Sequence, residues 1–290
     1  MHPHLLYNDD ILPTTQAILR PGQLGLLAGW GVFTTLRIYE GVPFEFEKHW
    51  ARIQRDAAKI NVPLDRFERD AVRERLIALV ERDNAFEASL RLCIVRSQGG
   101  LWEGPGSGNA ADLVAFAIPV KGFKERVALS VTEQGRHAAS PFAGTKTLSW
   151  SHNLTMAENA ARAGFDETIL LNERGEVAEC TSANIFAVLD GQAYTPPLSS
   201  GPLPGVTREV MLNELSTNGS ALIERVLTMD DLYRAEEVFI TSSTRELIPV
   251  ERIGDRKLTA ESWPVMTKIL AALRVYIRSY VEARRRVTAG

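Results

Sequence analysis

The feature that most constrains this chain is where its turn signals fall. Tight two-residue turns join strand-like runs, and helical stretches interrupt them without strict alternation. Residues 31–39 (GVFTTLRIY) are β-branched and aromatic, Glu40-Gly41 punctuates them, and the short run 42–46 follows, which predicts a hairpin. Residues 167–171, 176–180, 184–189 and 192–195 predict a meander, with turns at 172–175 and at Asp190-Gly191. Doubly wound parallel sheets require repeated strand–helix–strand units. The pattern therefore predicts an α+β (mixed α/β) fold. The polar bridge 121–126 (KGFKER) is the expected linker between a small N-terminal α/β domain, 1–120, and a large C-terminal α/β domain, 127–290.

Periodicity places the helices. In residues 47–60, Trp50, Ile53, Ala57 and Ile60 recur at helical spacing and form one apolar stripe. A second helix is expected over 65–83, with Leu76, Leu79 and Val80 on its buried side. Strands are expected at 89–95, 113–120 and 237–241, the second of them wholly apolar and so central. Residues 99–109, rich in Gly, Ser and Pro, form a loop. Further helices are expected at 153–163, stopped by Gly164, at 207–215 and at 261–286.

Several function classes lose support at once. Lys plus Arg is 33 against 36 for Asp plus Glu, a formal net charge of -3, which argues against a nucleic-acid partner. The longest apolar stretches fall far short of the roughly 20 residues a spanning helix needs, and MHPHLLYNDD lacks the features of a secretory signal. Cys93 and Cys180 make no disulfide framework and no zinc spacing, so no metal is expected and the reducing cytoplasm is the expected compartment. No glycine fingerprint for a dinucleotide, no phosphate-loop lysine, no nucleophile elbow and no paired-histidine zinc motif is present, and His2 and His4 fall in what reads as an N-terminal tail.

Lysine usage is more telling. Lys146 is the only Lys, Arg, Asp or Glu between Arg136 and Glu158, among Gly144, Thr145, Thr147, Leu148, Ser149 and Trp150. An amine held away from ion-pair partners is open to desolvation, which lowers its pKa and makes it a nucleophile toward carbonyls; taken alone, a solvated loop lysine is the commoner case. Glu179 stands near the end of a strand before the small polar run 181–184, where it can point into a cleft or face water. Residues 203–208 (LPGVTR) open a helix whose free N–H groups and Thr207 hydroxyl suit an anion, or simply cap the helix. The hydroxyl run 241–244, with Ser242 and Ser243, can cup a phosphate, and Arg52, off the apolar stripe of its helix, can pair with one or lie on a solvated face. A carbonyl-reactive amine, an acid and a set of phosphate-binding groups are together what pyridoxal 5'-phosphate requires.

At these residues the chain resembles the fold-type IV pyridoxal-phosphate enzymes, the class IV aminotransferase family of branched-chain and D-amino-acid aminotransferases and aminodeoxychorismate lyase. The matching stretches are GWGVFTTLRIYEG, HWARIQRDAAKI, GTKTLSW, AGFDETILLNERGEVAECTSANIFAV, TPPLSSGPLPGVTREV and LYRAEEVFITSSTRELIPV. The resemblance implies that Lys146 is the Schiff-base lysine and proton shuttle, that Glu179 pairs with the pyridine nitrogen, and that Asn184 lies beside the ring. It implies that Arg52, Val206, Thr207, Ser242 and Ser243 bind the cofactor phosphate. It offers Phe33, Arg37, Arg91, Arg96 and Trp150 as substrate-binding residues. Arg91 and Arg96 are five apart on one strand, so they should face opposite sides, which leaves one of them for the substrate carboxylate. The implied substrates are an amino acid and a 2-oxo acid. The implied assembly is a homodimer with shared sites, the 99–109 loop covering the partner's pocket and the cofactor lying between the two domains.

Departures bear on the substrate. Ser149-Trp150 stands where relatives commonly have Asn-Tyr, and Ala28 and Ser89 replace tyrosines that branched-chain enzymes carry. The Phe33-Thr34-Thr35 run and Arg96 near Gly99-Gly100 are closer to the lyase and D-amino-acid members. The expected reaction is transfer of an amino group from a branched-chain-like or D-amino acid to a 2-oxo acid by a ping-pong cycle. The alternatives are β-elimination from 4-amino-4-deoxychorismate and, remotely, a non-catalytic binding protein.

Overall fold

The computed structural model describes residues 1–16, 20, 23–99, 107–215 and 222–288. Positions 100–106 of the expected 99–109 loop therefore lie outside the described residues. Two compact units emerge, one of residues 1–121, 145–150 and 279–290, the other of 122–144 and 151–278.

The first unit contains β1 (His4–Tyr7), β2 (Asp10–Pro13), α1 (Leu24–Ala28), β3 (Gly31–Tyr39), β4 (Val42–Pro43), α2 (Phe46–Lys59), α3 (Arg69–Arg82), β5 (Ala88–Arg96) and β6 (Ala111–Pro119). Its sheet runs β2-β1-β6-β5-β3-β4 and is antiparallel throughout. Alternation along the strands directs Val32, Leu36 and Ile38 of β3 and Leu90, Leu92 and Ile94 of β5 to one face. There they meet Phe46, Trp50 and Ile53 of α2 and Val72, Leu76 and Leu79 of α3. Each such buried side chain contributes roughly 1.5–3 kcal/mol. The second helix starts at Arg69, four residues later than periodicity suggests, because the Glu68 carboxylate accepts the Ala71 N–H and caps the helix there. His4, expected in a tail, lies in β1 with its Nδ1 2.6 Å from Asp83 Oδ1; four-residue strands of mixed polarity carry too little period to be read.

Segment 145–150 and residues 279–290 belong to this unit, although the sequence reading runs the second domain unbroken from 127 to 290. Main-chain bonds explain the first: Phe33 N donates to Lys146 O at 3.1 Å, Leu148 N to Gly31 O at 2.9 Å, and Val32 bridges Thr147. Gly31 permits that approach, since a Cβ there would lie 2.5 Å from both Ile94 O and Leu148 Cδ1. Side chains explain the second: the Tyr280 ring packs edge-on against Phe44 at 5.1 Å and its hydroxyl bonds Glu47 Oε2 at 3.0 Å.

The second unit contains β7 (Val127–Thr132), α4 (Ser151–Arg162), β8 (Glu167–Leu171), β9 (Val177–Cys180), β10 (Asn184–Leu189), β11 (Gln192–Thr195), a 3-10 turn Leu198–Ser200, α5 (Val206–Asn213), β12 (Ile223–Glu224), α6 (Met229–Arg234), β13 (Glu237–Ser242), β14 (Glu246–Ile253), β15 (Arg256–Lys257) and α7 (Pro264–Thr288), whose end belongs to the first unit. The order is β12-β11-β10-β13-β14-β7-β8-β9, with β15 on β14. β7 pairs parallel with both β8 and β14, so the sheet is mixed. The hairpins β8–β9 and β10–β11 form, but β9 and β10 share no ladder, which breaks the expected meander. Between them Thr181 and Ser182 turn their hydroxyls onto the buried Glu167 carboxylate, and Cys180 N bonds Ala183 O at 2.8 Å. The core gathers Leu129, Ile169, Val177, Ile185, Ile240 and Val250. Among the described residues no helix is long and apolar enough to cross a membrane.

One polar hub braces the first unit. The buried Asp112 carboxylate accepts Asn8 Nδ2 and Gln23 Nε2 at 2.8 Å, Asn109 Nδ2 at 2.9 Å, Ser107 Oγ at 2.5 Å, and Ser97 Oγ. Burial alone would raise its pKa, but the bonds from Ser107, Ser97, Asn109 and Asn8 outweigh it and hold the group at about 2. A folded pKa below the unfolded value contributes stability that is present above the unfolded pKa and lost as pH falls toward the folded one. Chemical denaturation between about pH 5 and pH 2 should show a loss of stability that Asp112→Asn flattens.

Candidate active site

Each unit carries one set of the residues singled out above. In the first, the buried arc of α2 contains three polar side chains, His49, Arg52 and Asp56, beside the apolar Phe46, Trp50, Ile53 and Ala57. The 3- and 4-residue spacing puts them on one flank. Arg52 is 7% exposed, which removes the solvated-face reading. Its NH2 donates to the Thr34 hydroxyl at 2.7 Å, and that hydroxyl lies 2.5 Å from His49 Nδ1. Thr34, fully buried in the middle of β3, thus meets α2 on the core side of the sheet. Asp56 Oδ2 accepts the Lys146 backbone N–H at 3.0 Å, while Oδ1 takes Arg55 at 2.5 Å.

The half-buried Lys146 directs Nζ over the Phe33 ring, 4.6 Å from its centroid, and 5.7 Å from that of Trp150. Phe33 and Trp150 pack edge-on at 5.9 Å, and the Arg91 guanidinium covers Phe33 at 4.4 Å. Four of the expected residues, Lys146, Phe33, Trp150 and Arg91, are therefore together at one face of β3 and β5. Cys93 shares that face, and burial pushes its thiol up to about 11, only partly offset by Arg91, so it stays protonated. Arg96 faces the other way: it stacks on Trp30 at 4.1 Å and donates to Gln98 O and Asn61 O. Arg37 is engaged with Glu87 at 2.6 Å, with Ile38 O and with Ala88 O, apart from the Phe33 group.

In the second unit, Glu179 is buried on β9. Its Oε1 accepts Arg136 Nε at 2.8 Å and its Oε2 accepts Leu203 N at 3.1 Å. Asn184 Nδ2 donates to Leu203 O at 2.8 Å, so both ends of the Leu203 residue are gripped. This fixes the approach to α5, where the N-cap is Gly205 and no side chain caps the helix; Thr207 is therefore not the cap that the sequence allows. A Cβ on Gly205 would lie 2.0 Å from Asn184 Oδ1, so only glycine fits that close approach. Val206 and Thr207 form the buried first turn. Ser242 ends β13 and Ser243 follows it in the turn before β14. Arg245, from the same turn, donates to Ser182 Oγ at 2.9 Å and to Glu167 Oε2 at 3.3 Å, which ties the 242–245 turn to the 181–184 loop.

His49, Asp56 and Arg136 stand outside the residues singled out from the sequence, and Thr34 entered there only as part of the Phe33-Thr34-Thr35 run. The 49-52-56 spacing on a helix was a usable signal for two of them. Arg136, 43 residues from Glu179, offered none beyond being the last charge before the Lys146 segment.

Residues 31–253 match the family of amino-transferase class IV, and the chain belongs to that family. A Methanocaldococcus jannaschii protein, provisionally named a branched-chain-amino-acid aminotransferase, is 33% identical over 85% of this chain and 86% of its own. The D-alanine aminotransferase of Bacillus licheniformis is 29% identical over 91% and 93%. The solved structure of a hypothetical aminotransferase from Mycobacterium tuberculosis, in a PLP-bound form, superposes with a TM-score of 0.82 at 25% identity over 95% of this chain and 99% of that one.

Because Asp56 anchors the Lys146 backbone from within a buried flank, Asp56→Ala should lower stability by about 1–3 kcal/mol. It should also reduce turnover, as thermal melts and initial rates on the same preparation will show.

Proposed function

We propose that this class IV aminotransferase uses pyridoxal phosphate to move an amino group from a branched-chain-like or D-amino acid to a 2-oxo acid in a ping-pong cycle. The observation that carries this reading is the Lys146 amine over Phe33 and Trp150, in the same unit as a buried arginine whose orientation is set by Thr34. The donor set suits the cofactor: a primary amine for an aldehyde, a buried cation for a phosphate, and a buried carboxylate for a pyridine nitrogen. His49 Nε2 and Thr145 Oγ1 are in addition buried without a hydrogen-bond partner in the unit that holds the amine. When bound, pyridoxal phosphate supplies an aldehyde that condenses with amines and a ring that takes up electrons from the substrate's α-carbon.

The residues divide that work. Lys146 Nζ would hold the cofactor's aldehyde and, as general base and then acid, would move a proton at the substrate α-carbon. Arg52 binds the phosphate, and Val206, Thr207, Ser242 and Ser243 offer it N–H and hydroxyl donors. Glu179, braced by Arg136, keeps a proton on the ring nitrogen, and Asn184 holds the loop beside it. Arg91 receives the substrate carboxylate beside Phe33, and Trp150, larger than the tyrosine of relatives, narrows the side-chain space. Arg37 and Arg96, engaged elsewhere, are second candidates for that carboxylate. The working assembly is a homodimer in the cytoplasm, in keeping with Cys93 and Cys180, which are free and buried.

Purified protein should show a visible absorption band that a good amino donor bleaches, and Lys146→Ala should abolish both band and turnover, a loss of at least about 10³-fold. A screen of L- and D-amino acids identifies the donor. Turnover in Lys146→Ala would remove that residue from the mechanism, and pyruvate release from aminodeoxychorismate without an acceptor would assign the lyase reaction instead.

A further inference from the structure

The flank of α2 behind Lys146 holds a histidine to which the reaction above gives no part. His49 is 1% exposed, three residues before Arg52 on the same helix. Its Nδ1 lies 2.5 Å from Thr34 Oγ1 and 3.5 Å from Arg52 NH2. Arg52 sets the direction of these bonds. A guanidinium has no acceptor, so Arg52 NH2 donates to the Thr34 oxygen. The same NH2 lies 3.5 Å from His49 Nδ1, which makes that nitrogen an acceptor, and the Thr34 hydroxyl directs its hydrogen to it as well. A ring nitrogen that accepts carries no hydrogen, so Nε2 carries it and the ring is neutral. Its setting agrees: burial, then the charges of Arg52 and Lys146, hold its pKa well below the ordinary histidine value. Nε2–H is itself buried without a hydrogen-bond partner. A buried, unsatisfied donor beside two cations suits an anion as neighbour.

We propose that His49 is a positioning residue for the cofactor's phosphate. As the neutral Nε2–H tautomer it orients the Thr34 hydroxyl, and Thr34 in turn holds the Arg52 guanidinium in the orientation that receives the phosphate. Thr34 is the middle member of the relay, which explains a hydroxyl in the apolar core face between Val32 and Leu36. The inference rests on the reading of Arg52 as the phosphate ligand.

The test compares two probes on full-length protein stripped of cofactor: pyridoxal phosphate, and pyridoxal, which keeps the aldehyde and ring but lacks the phosphate. His49→Leu should raise the Kd for pyridoxal phosphate by about tenfold to a hundredfold and leave that for pyridoxal within about twofold. Thr34→Val, close in shape to the native residue, should lose the same selectivity. His49→Asn, whose side-chain carbonyl can accept from Thr34, should recover most of it. At saturating pyridoxal phosphate kcat should stay within about threefold of the parent in all three. An unchanged Kd in His49→Leu, or an equal loss for both probes, overturns the inference while leaving the proposed function intact. A parent protein that binds neither probe overturns the proposed function and this inference with it. If thermal melting shows His49→Leu to be unfolded, Thr34→Val decides the outcome alone.

Discussion

Burying a guanidinium against the middle of a β-sheet is costly unless each of its donors finds a partner, and that constraint organises the first unit. Arg52 meets it through Thr34 of β3, and Thr34 is in turn completed by His49. A helix flank that would otherwise be apolar is thereby committed to holding positive charge. The lysine lies close by, because the same flank ends in Asp56, which takes the Lys146 backbone N–H. The neighbouring peptides pair with β3 at a glycine whose missing side chain leaves room for them. Rigidity in the main chain around Lys146 and orientation in Arg52 thus come from one helix and one strand.

The second unit solves a different problem, that of holding a carboxylate inside the protein with a partner on each oxygen. Arg136 and the Leu203 N–H each occupy one oxygen of Glu179, and the Asn184 amide donates to the Leu203 carbonyl. The bonds that hold the acid also set where α5 begins. Gly205 then allows the chain to pass against the Asn184 side chain, and the first turn of α5 follows uncapped. Charge–charge contacts of this buried kind contribute little net stability after desolvation. Their effect is on geometry, since each residue has few alternative positions.

Much of the architecture was legible in the residues alone. Apolar, β-branched runs and turn signals marked β3, β5, β6 and β8, and the helical stripe marked α2, because those patterns record burial directly. The mixed α/β class followed. The failures share a cause. β1 and β2 are too short for a period to show, and β9 and β10 read as neighbours in a meander because hydroxyl contacts to Glu167 do not register in hydropathy. Helical period alone left Arg52 open between a phosphate and a solvated face, because a stripe counts apolar positions and passes over a charged residue buried beside them.

Residue identity and order determined the chemistry available to this chain. They supplied an amine in a charge-free stretch, an acid before a small polar loop, hydroxyl and glycine groups at a helix start, and a spacing shared with the class IV aminotransferases. Tertiary structure alone decided which of these meet. Lys146 reaches Phe33 and Trp150, Arg91 joins them while Arg37 and Arg96 do not, and Arg136 comes to Glu179 from 43 residues away. The reason is that hydrophobic period encodes only which face of an element is buried. The partner across that face is chosen by strand register and by the few polar bonds a closed core can satisfy.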